Sequence, residues 1–574
     1  MTAKPHTEEQ IKETQVAYFS MEVGINPSIP TYSGGLGVLA GDMLRSCADL
    51  SVPLVAVTLL NEQGYFFQQI DENGNQIELP FKWRKDDFLK PVDVKVSVII
   101  AGRTVKITAW EYLIEGETGS TVPIYFIYTN LPENSPEDQG LTGHLYGGDS
   151  RYRLSQEIIL GIGGVRVLNA LGYRNIRKYH MNEGHAALLV LELMKEEKQG
   201  RTITNKKFKN IDDVRKRCAF TTHTPVPAGH DKFPKDLVKE LLGDFLSDEE
   251  CNKLCPGDEL NLTRLALEHS EHINGVAKKH GEISRNMFPG YAIDSITNGV
   301  HAVFWAAEPF RLLFDKYIPG WRNDPYSLRN ALMISREEIV EAHRQAKKEL
   351  IDYVNRENNA GLDYDVLTFG FARRAARYKR AELIFSDIPR LKKIAENAGA
   401  LQIIYAGKAH PNDGGGKDII RRIHEKLKAV KPEINGAYLS NYDINIGKLL
   451  TSGVDVWVNT PARPLEASGT SGMKAATNGV PSFSVLDGWW IEGYLKNVTG
   501  WRIGPKPKPG EDTQSNDEVD AEDLYTRLEN IILPMYYNNQ YEWTKIMRHA
   551  IAINASFFNS HRMVQQYVTS AYFD

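Results

Sequence analysis

Two stretches of this 574-residue chain concentrate side chains suited to holding phosphate. In FARRAARYKRAEL, five of the eight residues 373–380 are basic: Arg373, Arg374, Arg377, Lys379 and Arg380. Arginine forks match phosphate oxygens bidentately. The cluster follows a strand-like run, DVLTFG, and open α/β sheets bind ligands at the carboxyl ends of their strands. The plainer alternative is a solvated helix face. In EASGTSGMK (466–474), the small residues Ala467, Ser468, Gly469, Ser471 and Gly472 lie between a glutamate and a lysine. Such a stretch can form a nest of backbone N–H donors at the start of a helix, where the dipole also favours an anion. Lys474 then falls in the first turns, with Asn478-Gly479 as the C-cap. A bare lysine on a helix is ordinarily a surface residue. Its place between a nest and a basic cluster sets this one apart.

Four further stretches offer site residues. YSGGLGVLAGDM (32–43) puts Gly34, Gly35 and Gly37 just before a helical pattern; it is neither GxGxxG nor a P-loop, and a tight turn or an anion cradle both fit. YHMNEGHAAL carries His180 and His185, but no matching carboxylate set is evident, so no metal is expected. His223 follows CAFTT and precedes Pro225, on a loop at a strand end where site residues gather; His230 lies just beyond. SITNGVHAVFW adds an Asn-Gly turn, at Asn298, with Trp305 behind it.

Alternating strands and helices must position these groups. VPLVAVTLL (52–60), DVLTFGFA, ALQIIYAG and GVDVWVN are buried-strand runs, and LKKIAENAGA and DIIRRIHEKLKAVKP are helical. This rhythm argues for parallel sheets with covered faces, most cleanly over 363–487. The stretch 256–287 reads as helical and charged. The segment 502–520, rich in proline, glycine and acidic residues, reads as an exposed loop, after which 524–537 and 541–558 return to helical periodicity.

Bulk properties narrow the partners. A formal net charge of -5 gives no reason to expect nucleic acid or an anionic membrane. No run of 18 apolar residues occurs, and the first residues are polar, so a cytoplasmic enzyme is expected. Four cysteines make no disulfide framework; Cys251 and Cys255 read as plain thiols rather than a metal pair.

Taken together, the motifs resemble those of the α-glucan (glycogen, starch, maltodextrin) phosphorylase family. EASGTSGMKAATNG is similar to its signature almost residue for residue. In family order come SGGLGVLAGD, NEGH, THT, INGVAKKHGEISRNMF, TNGV…W, RRAARYKR, AGKAHP, LSNYDINIGKLL and LDG, over about residues 17–505. The resemblance implies an α/β fold of GT-B type: two Rossmann-like domains, 1–310 and 311–530, with the active site in the interdomain cleft, and C-terminal helices, 531–574, crossing back to the first. It implies pyridoxal 5'-phosphate held by Lys474 as a Schiff base, with Thr470, Ser471, Gly472 and Arg373 on its phosphate and Tyr442 and Trp305 along its ring. Arg374, Lys379 and the Gly35-Leu36 backbone would take the substrate phosphate. His223, Asn298, Glu466, Ser468 and Gly469 would bind the transferred glucosyl unit. The implied reaction is phosphorolysis of α-1,4-glucans or maltooligosaccharides by inorganic phosphate to α-D-glucose 1-phosphate, with retention and with the cofactor phosphate as proton relay. His223, Arg374, Lys379 and Lys474 would be its catalytic residues. The family is often dimeric, so a homodimer is one implied assembly.

The chain departs from the long members of the family in three ways. It is shorter, which implies an unregulated form acting on soluble maltodextrins. Arg373 replaces a lysine, and Gly24 stands where an aromatic residue contacts the cofactor. The competing readings are a nucleotide-sugar-dependent α-glucan synthase, which needs no lysine at 474, and a non-catalytic glucan-binding protein.

Overall fold

A computed structural model describes residues 7–198, 211–226, 229–506 and 514–573. Two sheets organise them. The first has nine strands in the order Asp294–Ser295, His272–Gly275, Cys218–Thr221, Lys178–Asn182, Val16–Ser20, Leu54–Leu59, Thr121–Tyr128, Arg103–Glu115 and Lys90–Ile100. The first seven run parallel. The second sheet has six strands, all parallel, in the order Asn435–Leu439, Leu401–Ala406, Leu367–Ala372, Val456–Asn459, Ser482–Val485 and Gly500–Ile503. Val16–Ser20, Leu54–Leu59, Leu367–Ala372 and Leu401–Ala406 are buried at every residue, as strands covered on both faces must be. This is the α/β arrangement of parallel sheets that the apolar runs predict.

Three sequence expectations are corrected. The first sheet is not wholly parallel: Lys90–Ile100 and Arg103–Glu115 form an antiparallel hairpin on its edge. Ala101 and Gly102, both at positive φ (49° and 75°), make the turn that suits the strand twist. The stretch 256–287 is not purely helical. The short strand His272–Gly275 lies within it, beside Cys218–Thr221, because a covered sheet position outweighs four residues of weak propensity. Of the expected loop 502–520, Arg502 and Ile503 end a strand, 507–513 lie outside the described residues, and a helix begins at Asp517.

The last helices divide their packing. Trp543, Ile546, Met547 and Ile551 join the core beneath the second sheet. Met563, Val564, Tyr567 and Tyr572 join Val16, Tyr18 and Leu54 on the first. The crossing is tight at Gly299, where an added Cβ would stand 2.1 Å from Asn559 O. Among the described residues no helix is long and apolar enough to cross a membrane.

Candidate active site

The residues singled out in the sequence follow the carboxyl ends of strands in both sheets. Glu22 follows Val16–Ser20, and its carboxylate organises the first glycine turn by accepting from Ser33 N (2.6 Å), Gly34 N (3.2 Å) and Tyr146 Oη (3.0 Å). The helix Gly35–Asp49 starts with no side-chain cap. A Cβ added at Gly34 or Gly35 would meet nothing within 4 Å, so this helix start faces open space with unused N–H donors. Leu36 sits half-buried behind it.

Leu367–Ala372 ends at the basic cluster. Arg373 Nη1 donates to Asn459 Oδ1 (2.9 Å) and lies 2.6 Å from Glu466 Oε2; Lys379 Nζ donates to the same carboxylate oxygen at 2.7 Å. Burial pushes the Glu466 pKa up, but the two cations outweigh it and bring the carboxyl to about 2. Arg374 is exposed, bonded to Tyr378, with its charge felt by Tyr65 of the first half. The other two basic residues go elsewhere: Arg377 is exposed, and Arg380 pairs with Asp517 and Asp520.

Lys474 lies in the helix Ser471–Thr477, whose N-cap Thr470 makes no side-chain bond. Gly472 must be glycine, since a Cβ there would stand 2.7 Å from Trp489 and 2.9 Å from Ser482 Oγ. Ser471 Oγ accepts from Trp457 Nε1. The Lys474 ammonium sits 3.8 Å above the centroid of the Trp305 ring, and Asp42 accepts from Trp305 Nε1 at 2.8 Å. Among the described residues Lys474 Nζ has no hydrogen bond. Burial lowers its pKa to about 8. Asn478, at the C-cap as expected, donates to Lys474 O and Trp305 O and accepts from Ala307 N. A Cβ at Gly447 would touch Tyr442 Oη (3.0 Å) and Trp305 (3.8 Å), which puts those two rings at one place.

Other polar groups keep hydrogen-bonding capacity to spare. His223 Nε2 meets Asn182 Oδ1 at 2.7 Å, so the ring donates there and keeps Nδ1 as an acceptor. Burial brings His223 down to about 4, a neutral imidazole at pH 7. Asn298 Oδ1 and Ser468 Oγ are buried with no hydrogen-bond partner, an uncommon state that an incoming hydroxyl would relieve. Gly469 takes a φ of 85°, which glycine alone adopts without strain.

Sequence comparison gives this geometry a lineage. A sequence model described as carbohydrate phosphorylase matches residues 251–498. The maltodextrin phosphorylase of Thermococcus litoralis is 40% identical over 98% of this chain and 70% of its own length. The glycogen phosphorylase of Aquifex aeolicus is 35% identical over 98% of this chain and 87% of its own. The chain belongs to the carbohydrate phosphorylase family. An uncharacterized protein of Methanocaldococcus jannaschii, 31% identical, covers 97% of this chain with 99% of itself.

Several residues of this phosphorylase-family site carried no role in the sequence reading. Glu22, Asp42, Asn182, Glu183 and Asp487 hold the named residues in place, Glu183 by accepting from His223 N at 2.7 Å. Asp487 accepts from Glu466 N at 2.9 Å, and burial with the Glu466 charge beside it raises its pKa to about 7. Its signal was faint: a carboxylate in LDG, just past a strand. The other histidines are structural. His180 bonds Tyr572 Oη and Thr221 Oγ1 at 2.6 and 2.9 Å, and His230 bonds Thr263 Oγ1 at 2.8 Å. The carboxylate set not evident for His185 does exist, since Asp231 and Glu157 fold beside it. Arg153 occupies both carboxylates, at 2.9 and 3.1 Å, so their charge is met by a guanidinium.

Proposed function

We propose that this chain catalyses phosphorolysis of α-1,4-glucans or maltooligosaccharides by inorganic phosphate, releasing α-D-glucose 1-phosphate, with pyridoxal 5'-phosphate as cofactor. The observation that carries the reading is the Lys474 amine: buried, without a hydrogen bond, lowered to about 8 and set over Trp305. A lysine so placed is suited to bonding an aldehyde. A nucleotide-sugar synthase has no use for it. The family relationship points the same way.

The residues fit the cofactor. Ser471 and Gly472 N–H groups open a helix without a side-chain cap, and Arg373 keeps donors beyond those given to Asn459 and Glu466. These groups and Thr470 would hold the 5'-phosphate, while Lys474 would hold the aldehyde end with Trp305 and Tyr442 against the ring. When bound, the cofactor supplies a phosphate with a second pKa near 6, able to give or take a proton near neutral pH.

The chain's own residues then do the following. Arg374, Lys379 and the Gly35-Leu36 backbone bind the substrate phosphate. Two phosphates in one cleft repel strongly, and the cations with the two helix starts offset that repulsion. His223 Nδ1, Asn298 Oδ1 and Ser468 Oγ accept from sugar hydroxyls and orient the glucosyl unit. Glu466 holds Arg373 and Lys379 together and offers its carboxylate to the sugar, beside the turn at Gly469. We assign 1–310 and 311–530 as the two domains and 531–574 as the crossing segment. Separate strand sets and the return of residues 563–572 to the first sheet support that division.

Incubation with maltoheptaose and phosphate should release glucose 1-phosphate, and borohydride reduction should fix a pyridoxyl group on Lys474. A cofactor-loaded protein that forms no glucose 1-phosphate, or that turns over UDP- or ADP-glucose without pyridoxal, would falsify the reading.

A further inference from the structure

A cavity of about 640 Å³ opens beside Phe304, and neither Lys474 nor any residue of the Glu466 cluster lines it. Four cations line it: Lys90, whose charge acts on Glu111, and Arg45, Arg311 and Lys448. Arg45 Cζ lies 3.6 Å and Lys448 Nζ 3.5 Å from the centroid of the Phe304 ring, and Arg311 lines the same space. Their charges are poorly met. Arg45 donates to Ile25 O and stands 3.6 Å from Asp42, yet its Nη1 is buried with no hydrogen-bond partner. Among the described residues neither the Arg311 guanidinium nor the Lys448 ammonium has a hydrogen bond or an ion pair. The lining carboxylates are engaged elsewhere or solvated. Asp49 bonds His301 and His561 at 2.7 Å each, Glu117 faces Arg322, Glu111 bonds Tyr125, and Glu115 is exposed.

Like charges gathered in a half-buried space repel, and each loses hydration that no partner replaces. Lys448 registers this: burial first, then Arg45 and Arg311, bring its ammonium down to about 8. Ile25, Phe88 and Val303 add apolar wall, and the volume exceeds what a bare inorganic anion fills.

We propose that this cavity is a second anion site, separate from the catalytic cleft, for a compact dianion of the phosphomonoester class carried on a small apolar body. Arg311 and Lys448 match its two charges, Arg45 Nη1 donates to it, and the apolar wall takes its body.

Phenyl phosphate titrated calorimetrically into the whole protein is the probe, with phenol as the uncharged control. Binding should persist in Arg374→Ala, which cripples the catalytic phosphate site. It should weaken at least about tenfold in Arg311→Ala/Lys448→Ala. Phenol should give no heat. Without ligand the double variant should still melt in one cooperative transition, which checks its fold, although it gives up the cation–π contact of Lys448 with Phe304. The proposal is overturned by no binding, by equal binding of phenol, or by binding retained in a cooperatively folded double variant.

Discussion

Lys379 Nζ lies 2.7 Å from Glu466 Oε2, and Arg373 Nη1 meets the same oxygen at 2.6 Å. One carboxylate therefore serves as counter-ion to the two cations that a phosphate would otherwise claim. In Glu466→Gln the phosphate KM should fall, because the internal competitor is gone, while kcat drops about 10²–10³-fold with the lost sugar contact. Stability at pH 7 should decrease by about 3 kcal/mol, since two buried cations lose their anion. The sign with pH follows from a carboxyl held at about 2 against an ordinary 4.5: its contribution is complete above 4.5 and disappears as pH falls toward 2. Melting curves of parent and variant should converge at the acid end. Curves that stay parallel refute the pairing.

Asp487 has the opposite sign. Its carboxyl is raised to about 7, so it is protonated in mildly acidic solution and ionises beside Glu466 as pH rises through 7. The folded state pays for that second charge progressively from the ordinary carboxylate range up to 7 and no further. The same charge opposes an incoming phosphate. The phosphate KM should therefore climb above pH 7 in the parent more steeply than in Asp487→Asn. Identical KM profiles in the two proteins dispose of the assignment.

Lys474→Met should abolish pyridoxal absorbance and glucose 1-phosphate formation together. The amine makes no hydrogen bond and its burial is unfavourable, so the apolar stem of methionine should melt at or above the apo parent. Retained turnover in this variant would remove the cofactor from the reaction.

Asn478 joins the Lys474 helix to the Trp305 segment through Lys474 O, Trp305 O and Ala307 N. Asn478→Ala orphans these buried groups and should cost about 2–4 kcal/mol. Because it frees the amine from its aromatic platform, cofactor affinity should drop as well. A melting loss with unchanged pyridoxal affinity would confine Asn478 to a structural role.

Much of this arrangement was legible because strand ends announce themselves. Arg373 follows LTFGFA, His223 follows CAFTT, and Gly35 opens a helix after a glycine turn, so residue type and place agreed locally. The partners were illegible for the converse reason. Glu22 acts on residues 11 and 12 positions away, Asp487 on Glu466, and Asn182 on His223; each needs one polar atom in one place and leaves no period in the chain. The hairpin at 90–115 does alternate in its second strand, but that strand's sheet neighbour is Thr121–Tyr128, and the hairpin's place at the edge is set by that pairing rather than by its own residues. His185 found its carboxylates only through folding, from Glu157 and Asp231.

The division of the last helices has a consequence for biosynthesis. Val16, Tyr18 and Leu54 lie in the first tenth of the chain, yet Met563, Val564, Tyr567 and Tyr572 cover them. During translation the first sheet is complete long before its cover leaves the ribosome, and that apolar face must wait while the whole second half is made. Nascent chains stalled short of residue 560 should thus expose a sticky surface, and chaperone demand should fall once residues 560–572 have emerged.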